Sequence, residues 1–326
     1  MPADPAAPRV DAHHHFWRYA DGHCAWMPDA PAVLHRDYLP ADLAPALKAA
    51  GIAGTVIVQA AETPVETDWL LALARDVPFV WGVVGWLDPA DPGAVARAEA
   101  WRATGRLVGI RFWYQDDADG DRLGSVIGAP LLGWAAAQDM PIDLLVRPRH
   151  LSAAVALVDA SPDVRFVVDH GAKPDIARWP PDADERLQWW EQMDRLARHR
   201  RVSCKLSGMV TEAAPGYTPA SLKPYSDALL QLFGPARLLW GSDWPVALSA
   251  SSYADWVACT GKLIGHLSAP ERAAILGGNA IRFYRLKPDL ICPPLSGPET
   301  MIVWTMKGTL NAEQEAQAGR DHRQAA

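Results

Sequence analysis

The sequence predicts an α/β chain folded as a distorted (β/α)8 barrel, and three observations carry that expectation. Eight short apolar runs rich in β-branched residues recur along the chain, a stretch of helical periodicity follows each, and no glycine-rich dinucleotide loop follows an early run. Strands that alternate with helices pair in parallel. Eight such units in about 250 residues match a closed barrel better than an open doubly wound sheet.

Each element has its own warrant in the sequence. The first strand is expected over Arg9 to Phe16, followed by a long segment, Arg18 to Tyr38, that exceeds a minimal βα loop and has the length of a lid or pocket wall. Pro40-Ala41-Asp42 opens the first helix, Ala41 to Ala50, because proline's fixed φ suits a first turn whose N–H groups are unsatisfied anyway; Gly51 closes it. The second strand, Gly54 to Ala60, leads through Pro64 into a helix over Val65 to Arg75. Strands over Phe79 to Trp86, Leu107 to Trp113, Ile142 to Val146 and Val164 to His170 precede helices over Pro92 to Ala103, Pro130 to Gln138, Leu151 to Asp159 and Asp184 to His199. The last two units are Val202 to Ser207 with a helix over Pro219 to Phe233, and Arg237 to Asp243 with a helix over Tyr253 to His266. Pro245 ends the eighth strand because it cannot donate to a ladder. One barrel domain is expected over 9–287. Past it lies an extension, 288–326, in which periodicity fades into a polar, frayed and partly disordered tract, Asn311 to Ala326. Within it the apolar Met301 to Met306 suits an added edge strand or a subunit contact.

Composition narrows the function classes. An apolar content of 49% against 21% charged residues is that of a soluble globular protein. The net charge of -7, with no basic stripe to offset it, argues against nucleic acid or an anionic membrane and leaves a small molecule as the expected partner. Cys24, Cys204, Cys259 and Cys292 form no C-x-x-C pair, so neither a zinc ribbon nor a disulfide framework is indicated, and reduced thiols fit a cytoplasmic protein. The opening MPADPAAPRV lacks a basic region followed by an apolar segment, and no run is long enough to span a bilayer, so neither export nor anchoring is expected. Oligomeric state is open.

In such a barrel, functional groups sit where strands end and loops begin. Side chains two apart on a strand face the same way, so in Asp11-Ala12-His13-His14-His15-Phe16-Trp17 the rings of His13 and His15 converge while His14 faces away. If Val164, Phe166 and Val168 face inward on the sixth strand, His170 does too, and Asp169 faces the helices. On the eighth, Leu239, Gly241 and Asp243 share a face, which aims Asp243 into the mouth unless it caps the next helix. Three imidazoles and one carboxylate suit a single zinc-like divalent ion with an open position for water. They also suit metal-independent chemistry, in which His170 polarises a carbonyl and Asp243 takes a proton from water. Arg111, sharing the inward face of strand four with Leu107 and Gly109, suits a carboxylate, a hydroxyl or an oxyanion, or else a salt bridge across the barrel. Lys205 and Lys173 are comparable, and Gln59 offers one neutral hydrogen bond. Trp26, Trp86, Trp113 and Trp244 fall at or after strand ends, where flat rings pack on the apolar faces of a sugar-like ligand while their N–H groups meet hydroxyls; Trp26 is preferred because its loop gives it little packing reason to be there.

The motifs DAHHHFW, VVDHGAKP, CKLSGM and WGSDWP, in this order, resemble the amidohydrolase superfamily over about Arg9 to Leu286. More narrowly they resemble its lactonase branch, which includes the L-fuconolactone and L-rhamnonolactone hydrolases and 2-pyrone-4,6-dicarboxylate lactonase. The resemblance implies that His13, His15, His170 and Asp243 line the site. Many members carry a carboxylated lysine on strand four that bridges two metals; Arg111 stands there, so a binuclear centre is not expected. The implied activity is hydrolysis of a sugar-acid lactone, L-fuconolactone first, with a polyhydroxylated neutral substrate favoured by a mouth expected to hold few cations. The alternatives are a metal-dependent decarboxylase of the same superfamily and a binding protein without turnover.

Overall fold

The structure is a computed structural model that describes residues 8–116, 123, 127–180 and 183–288. Eight parallel strands form one sheet in the order β1 to β8: Arg9–His14, Ile52–Val58, Val80–Gly85, Leu107–Trp113, Ile142–Leu145, Phe166–Val168, Val202–Leu206 and Leu238–Trp240. Helices Pro40–Ala50, Pro64–Asp76, Ala94–Ala103, Ala129–Ala137, Leu151–Ala160, Asp184–Arg198, Pro219–Phe233 and Tyr253–Leu263 (α1 to α8) separate or follow them. All sixteen expected elements are present. The largest departures are β6 and β8, which stop at Val168 and Trp240, before the residues that matter most.

The sheet closes at its mouth. His14 and Trp244 form a parallel bridge, Asp243 N–H donates to the His13 carbonyl at 2.8 Å, and His15 N–H donates to the Trp244 carbonyl at 2.7 Å. Beneath that seam the buried Asp11 carboxylate accepts from Ser242 N–H at 2.8 Å and from the Tyr253 hydroxyl at 3.1 Å, while burial pushes it up to about 6. Gly241 permits the approach: a Cβ there would lie 2.6 Å from that of His13.

The core lies between strands and helices, where residues such as Leu43, Leu70, Trp189 and Trp256 are buried, each large apolar side chain contributing about 1.5–3 kcal/mol. Thr63 caps α2 by accepting from Val65 N–H, and Gly51 ends α1 at φ 64, a left-handed conformation that glycine adopts without a Cβ clash. The 18–38 segment carries three short 3-10 turns and is held across its base by paired backbone bonds between Trp17 and Tyr38, each 3.0 Å. After α8 come two short helices, Ala269–Ala273 and Asn279–Phe283, which the sequence reading did not assign. Tyr284, just past the second, turns into the barrel floor and donates to Asp143 at 2.8 Å. The chain divides after Lys287, and the extension with its Met301–Met306 run and polar tract lies outside the described residues. No helix among the described residues is long and apolar enough to cross a membrane.

Candidate active site

His13 and His15 point to one spot while His14, on the other face, bonds the Thr55 hydroxyl at 2.8 Å, as strand alternation requires. The two Nε2 atoms lie 3.2 Å apart. Asp243 Oδ1 stands 3.4 Å from His15 Nε2, 3.7 Å from His170 Nε2 and 3.8 Å from His13 Nε2. Four groups from β1 and the ends of β6 and β8 therefore surround a single point.

The route by which His170 reaches it differs from the expectation. Because β6 ends at Val168, alternation lapses, and His170, Gly171, Ala172 and Lys173 follow with φ of 55, 60, 62 and 50, one turn of left-handed backbone. An L-residue there costs roughly 1–2 kcal/mol. Asp169 consequently does not face the helices: it turns inward, fully buried, 2.9 Å from Lys205 Nζ and 3.4 Å from Arg111. Asp243 also sits at positive φ, 58, past the end of β8. Two residues that the sequence reading missed complete the setting. Ser207 Oγ lies 2.8 Å from His170 Nδ1, and at Gly208, with φ 60, a Cβ would fall 2.5 Å from that nitrogen. The CKLSGM motif is thus the cradle of His170.

Below the histidines lies a charged floor. Lys205, expected to touch substrate, is instead fully buried and does not line the cavity; it donates to Asp143 at 2.6 Å, meets His13 Nδ1 at 2.9 Å and pairs ionically with Asp169 at 2.9 Å. Arg111 spans floor and cavity: it pairs with Asp169, donates to the Gln59 carbonyl and lines the cavity wall. The Gln59 side chain is fully buried, its amide atoms have no partner among the described residues, and it does not reach that wall.

Electrostatics separate the roles. Burial pushes His170 down to about 4, and burial together with Lys205 holds His13 well below its ordinary value; burial also lowers His15. Burial opposes ionisation of Asp243, but His170, His15 and Lys173 overcome it and hold the carboxyl below its usual value. Around neutral pH the site is a carboxylate ringed by neutral imidazoles. Asp169 is likewise held well down, against burial, by Lys205 and His13, whereas Asp143 is pushed up to about 6 by burial and by its neighbour Asp169, despite Lys205.

The cavity above measures about 420 Å³. Trp26 lines it beside Trp113, ring centroids 6.3 Å apart, but the expected N–H contacts to hydroxyls are already spent: Trp26 donates to the Ala60 carbonyl at 2.7 Å and Trp113 to Asp116 at 2.6 Å. Trp86 and Trp244 do not line it. The 18–38 segment supplies wall residues, including Trp26, Ala30 and Leu34. Cations are less sparse than expected, since Arg147 and Lys173 join Arg111 in the lining.

The donor set fits a divalent ion. A tetrahedral ion with bonds of about 2.0–2.1 Å holds its ligand atoms about 3.3 Å apart, close to the 3.2 to 3.8 Å separations among His13, His15 and Asp243; His170 groups instead with His13 and Asp169. His15 Nδ1 donates to the Val58 carbonyl at 2.8 Å, which leaves the Nε2 lone pair facing the centre. His13 offers its own Nε2 lone pair when Nδ1 carries the proton, with Asp169 Oδ1 3.5 Å away. With Lys205 donating to Nδ1, the proton sits on Nε2 and points at His15. Freeing His13 Nε2 for an ion places a proton on Nδ1 opposite the Lys205 Nζ donors at 2.9 Å, so ion binding requires that contact to change, whereas the arrangement without an ion keeps it.

Comparison with known proteins places this geometry. The Amidohydrolase family profile matches residues 10–286. The chain belongs to the amidohydrolase family. This amidohydrolase is 40% identical over 288 residues to the L-fucono-1,5-lactonase of Burkholderia ambifaria, an alignment covering 85% of this chain and 96% of the relative. Two crystal structures of an amidohydrolase from Burkholderia multivorans, one with HEPES bound and one with zinc, are 38% and 37% identical with TM-scores of 0.81 and 0.80; each match covers 86% of this amidohydrolase and all of the other chain.

Proposed function

We propose that this amidohydrolase opens sugar-acid lactones, L-fuconolactone foremost, to the free hydroxy acid. The observation that carries this reading is the ionised Asp243, its Oδ1 3.4 to 3.8 Å from three neutral imidazoles at the floor of a cavity sized for a small molecule. The L-fucono-1,5-lactonase relative supports the substrate class.

Water lodged against His13, His15 and His170 attacks the ester carbonyl as Asp243 takes its proton; Oδ2, buried without a partner among the described residues, is the free acceptor. Asp243 then returns the proton to the ring oxygen as the carbon–oxygen bond breaks. Arg111, facing the cavity, steadies the oxyanion, an effect worth a few kcal/mol. Lys205 orients His13 from below and does not touch substrate. A divalent ion held by His13, His15 and Asp243 would polarise the carbonyl when bound. A ring ester needs less leaving-group assistance than an amide, so this sparse apparatus suffices.

The test is a pH-indicator screen of aldonolactones with the wild type and Asp243→Asn. Turnover confined to the wild type is expected, and equal rates would remove Asp243 as the base. Metal content of untagged protein, with activity after chelation, decides whether the ion is required.

A further inference from the structure

One arc of the cavity carries a charge cluster that the hydrolytic steps leave unused. Arg147 follows β5, Lys173 closes the left-handed turn after β6, and Glu212 follows β7. Glu212 Oε2 lies 3.3 Å from Arg147, and its Oε1 lies 3.6 Å from Lys173; the Glu212 and Lys173 side chains are only 12% and 11% exposed. All three line the cavity that holds His170 and Asp243. The lining also includes the apolar Trp26, Trp113 and Leu34, interspersed with polar groups such as Asp29 and Asp116. The cavity therefore combines aromatic rings with a dense set of charged groups. Its cations, Arg111, Arg147 and Lys173, do not outnumber its carboxylates, Asp29, Asp116, Glu212 and Asp243, so the lining does not select an anion.

A carboxylate flanked by two cations presents an acceptor beside donors. Adjacent hydroxyls, each both donor and acceptor, match that alternation, whereas a bare hydrocarbon ring desolvates these paired charges without offering them a hydrogen bond. We propose that Arg147, Lys173 and Glu212 form the wall that selects a lactone bearing vicinal hydroxyls, Glu212 accepting from one while Lys173 or Arg147 donates to its neighbour. This deepens the lactonase reading and rests on it. The rival role is mechanical: Glu212 staples three successive loops, its carbonyl also accepting from Ala177 N–H at 2.9 Å.

The experiment compares kcat/KM for L-fuconolactone and for unsubstituted δ-valerolactone, read as a ratio, in wild type and Glu212→Gln. Hydroxyl recognition predicts that the ratio falls by roughly tenfold to a hundredfold, carried mainly by KM. A ratio that stays constant overturns the proposal, whether both activities fall together, as a staple requires, or neither falls. Where Glu212→Gln does not fold, the same ratio in Arg147→Met gives the decision. Where wild type fails to hydrolyse one of the two lactones, calorimetric titration of a polyhydroxylated δ-lactam replaces turnover. Weaker binding to Glu212→Gln then supports the wall, and equal or absent binding overturns it. Failure to hydrolyse any lactone removes the parent function while the lactam result stands by itself.

Discussion

Two parts of the barrel position their polar residues in opposite ways. Along β4 and its partner β5, the register runs unbroken from Ile110 to Trp113, and Arg111 lies inside a seven-residue strand, paired opposite Asp143 of β5. At β6 and β8 the ladder lasts three residues, and His170 and Asp243 lie beyond it on left-handed backbone. Regular strand supplies fixed charge, whereas the broken ends bring His170 and Asp243 within 3.7 Å. The contrast implies a division of labour: substitutions within the ladder cost chiefly stability, and substitutions at the broken ends cost chiefly turnover.

The largest effect tests the second half. Asp243→Asn is expected to lower lactone kcat/KM by about 10³-fold or more while the thermal midpoint changes little, measured by pH-indicator kinetics and calorimetry. Next comes the ladder: Lys205→Met strands Asp143 and Asp169 without their shared cation and should cost about 3–5 kcal/mol in urea unfolding. An unchanged midpoint there would erase the distinction. Gly208→Ala puts a methyl against His170 at an unfavourable φ, with an expected loss of about 1–3 kcal/mol and a fall in kcat, because the imidazole must move.

The last effect concerns pH. In chelated protein His170 binds a proton only near pH 4, whereas in the unfolded chain it does so near its ordinary 6.5. Between those values the unfolded state holds more protons, so stability falls as pH drops through the window and levels off below it, by up to about 1.4 kcal/mol per unit from this group. Unfolding curves from pH 7 to 4 should lose part of that slope in His170→Gln; an identical slope would mean that His170 does not carry it.

The same contrast explains what could be read from residues alone. Alternation placed His13, His14 and His15 correctly even though β1 ends at His14 and its register with β2 shifts between Asp11 and His14, and Arg111 was legible within the regular β4. It failed at Asp169, whose inward turn follows from strand termination, which no periodicity announces. Gly208 gave a visible sign, a glycine directly after a strand, but its meaning depends on His170 arriving from another strand. Lys205 was seen but misplaced, since an inward lysine can rise to the mouth or sink to the floor, and Asp143 and Tyr284, remote in sequence, decide which. Glu212 and Arg147 meet across 65 positions of chain, beyond the reach of any local pattern.

Among the described residues β1 and β8 share no ladder, only the bridge at His14 and Trp244 and the bonds clustered around it. A ribosome making this protein therefore delivers the paired imidazoles of His13 and His15 first and the acid that completes them more than two hundred residues later. A nascent chain holding seven strands lacks Asp243, so if Asp243 is the base proposed above, turnover itself reports that the ring has shut.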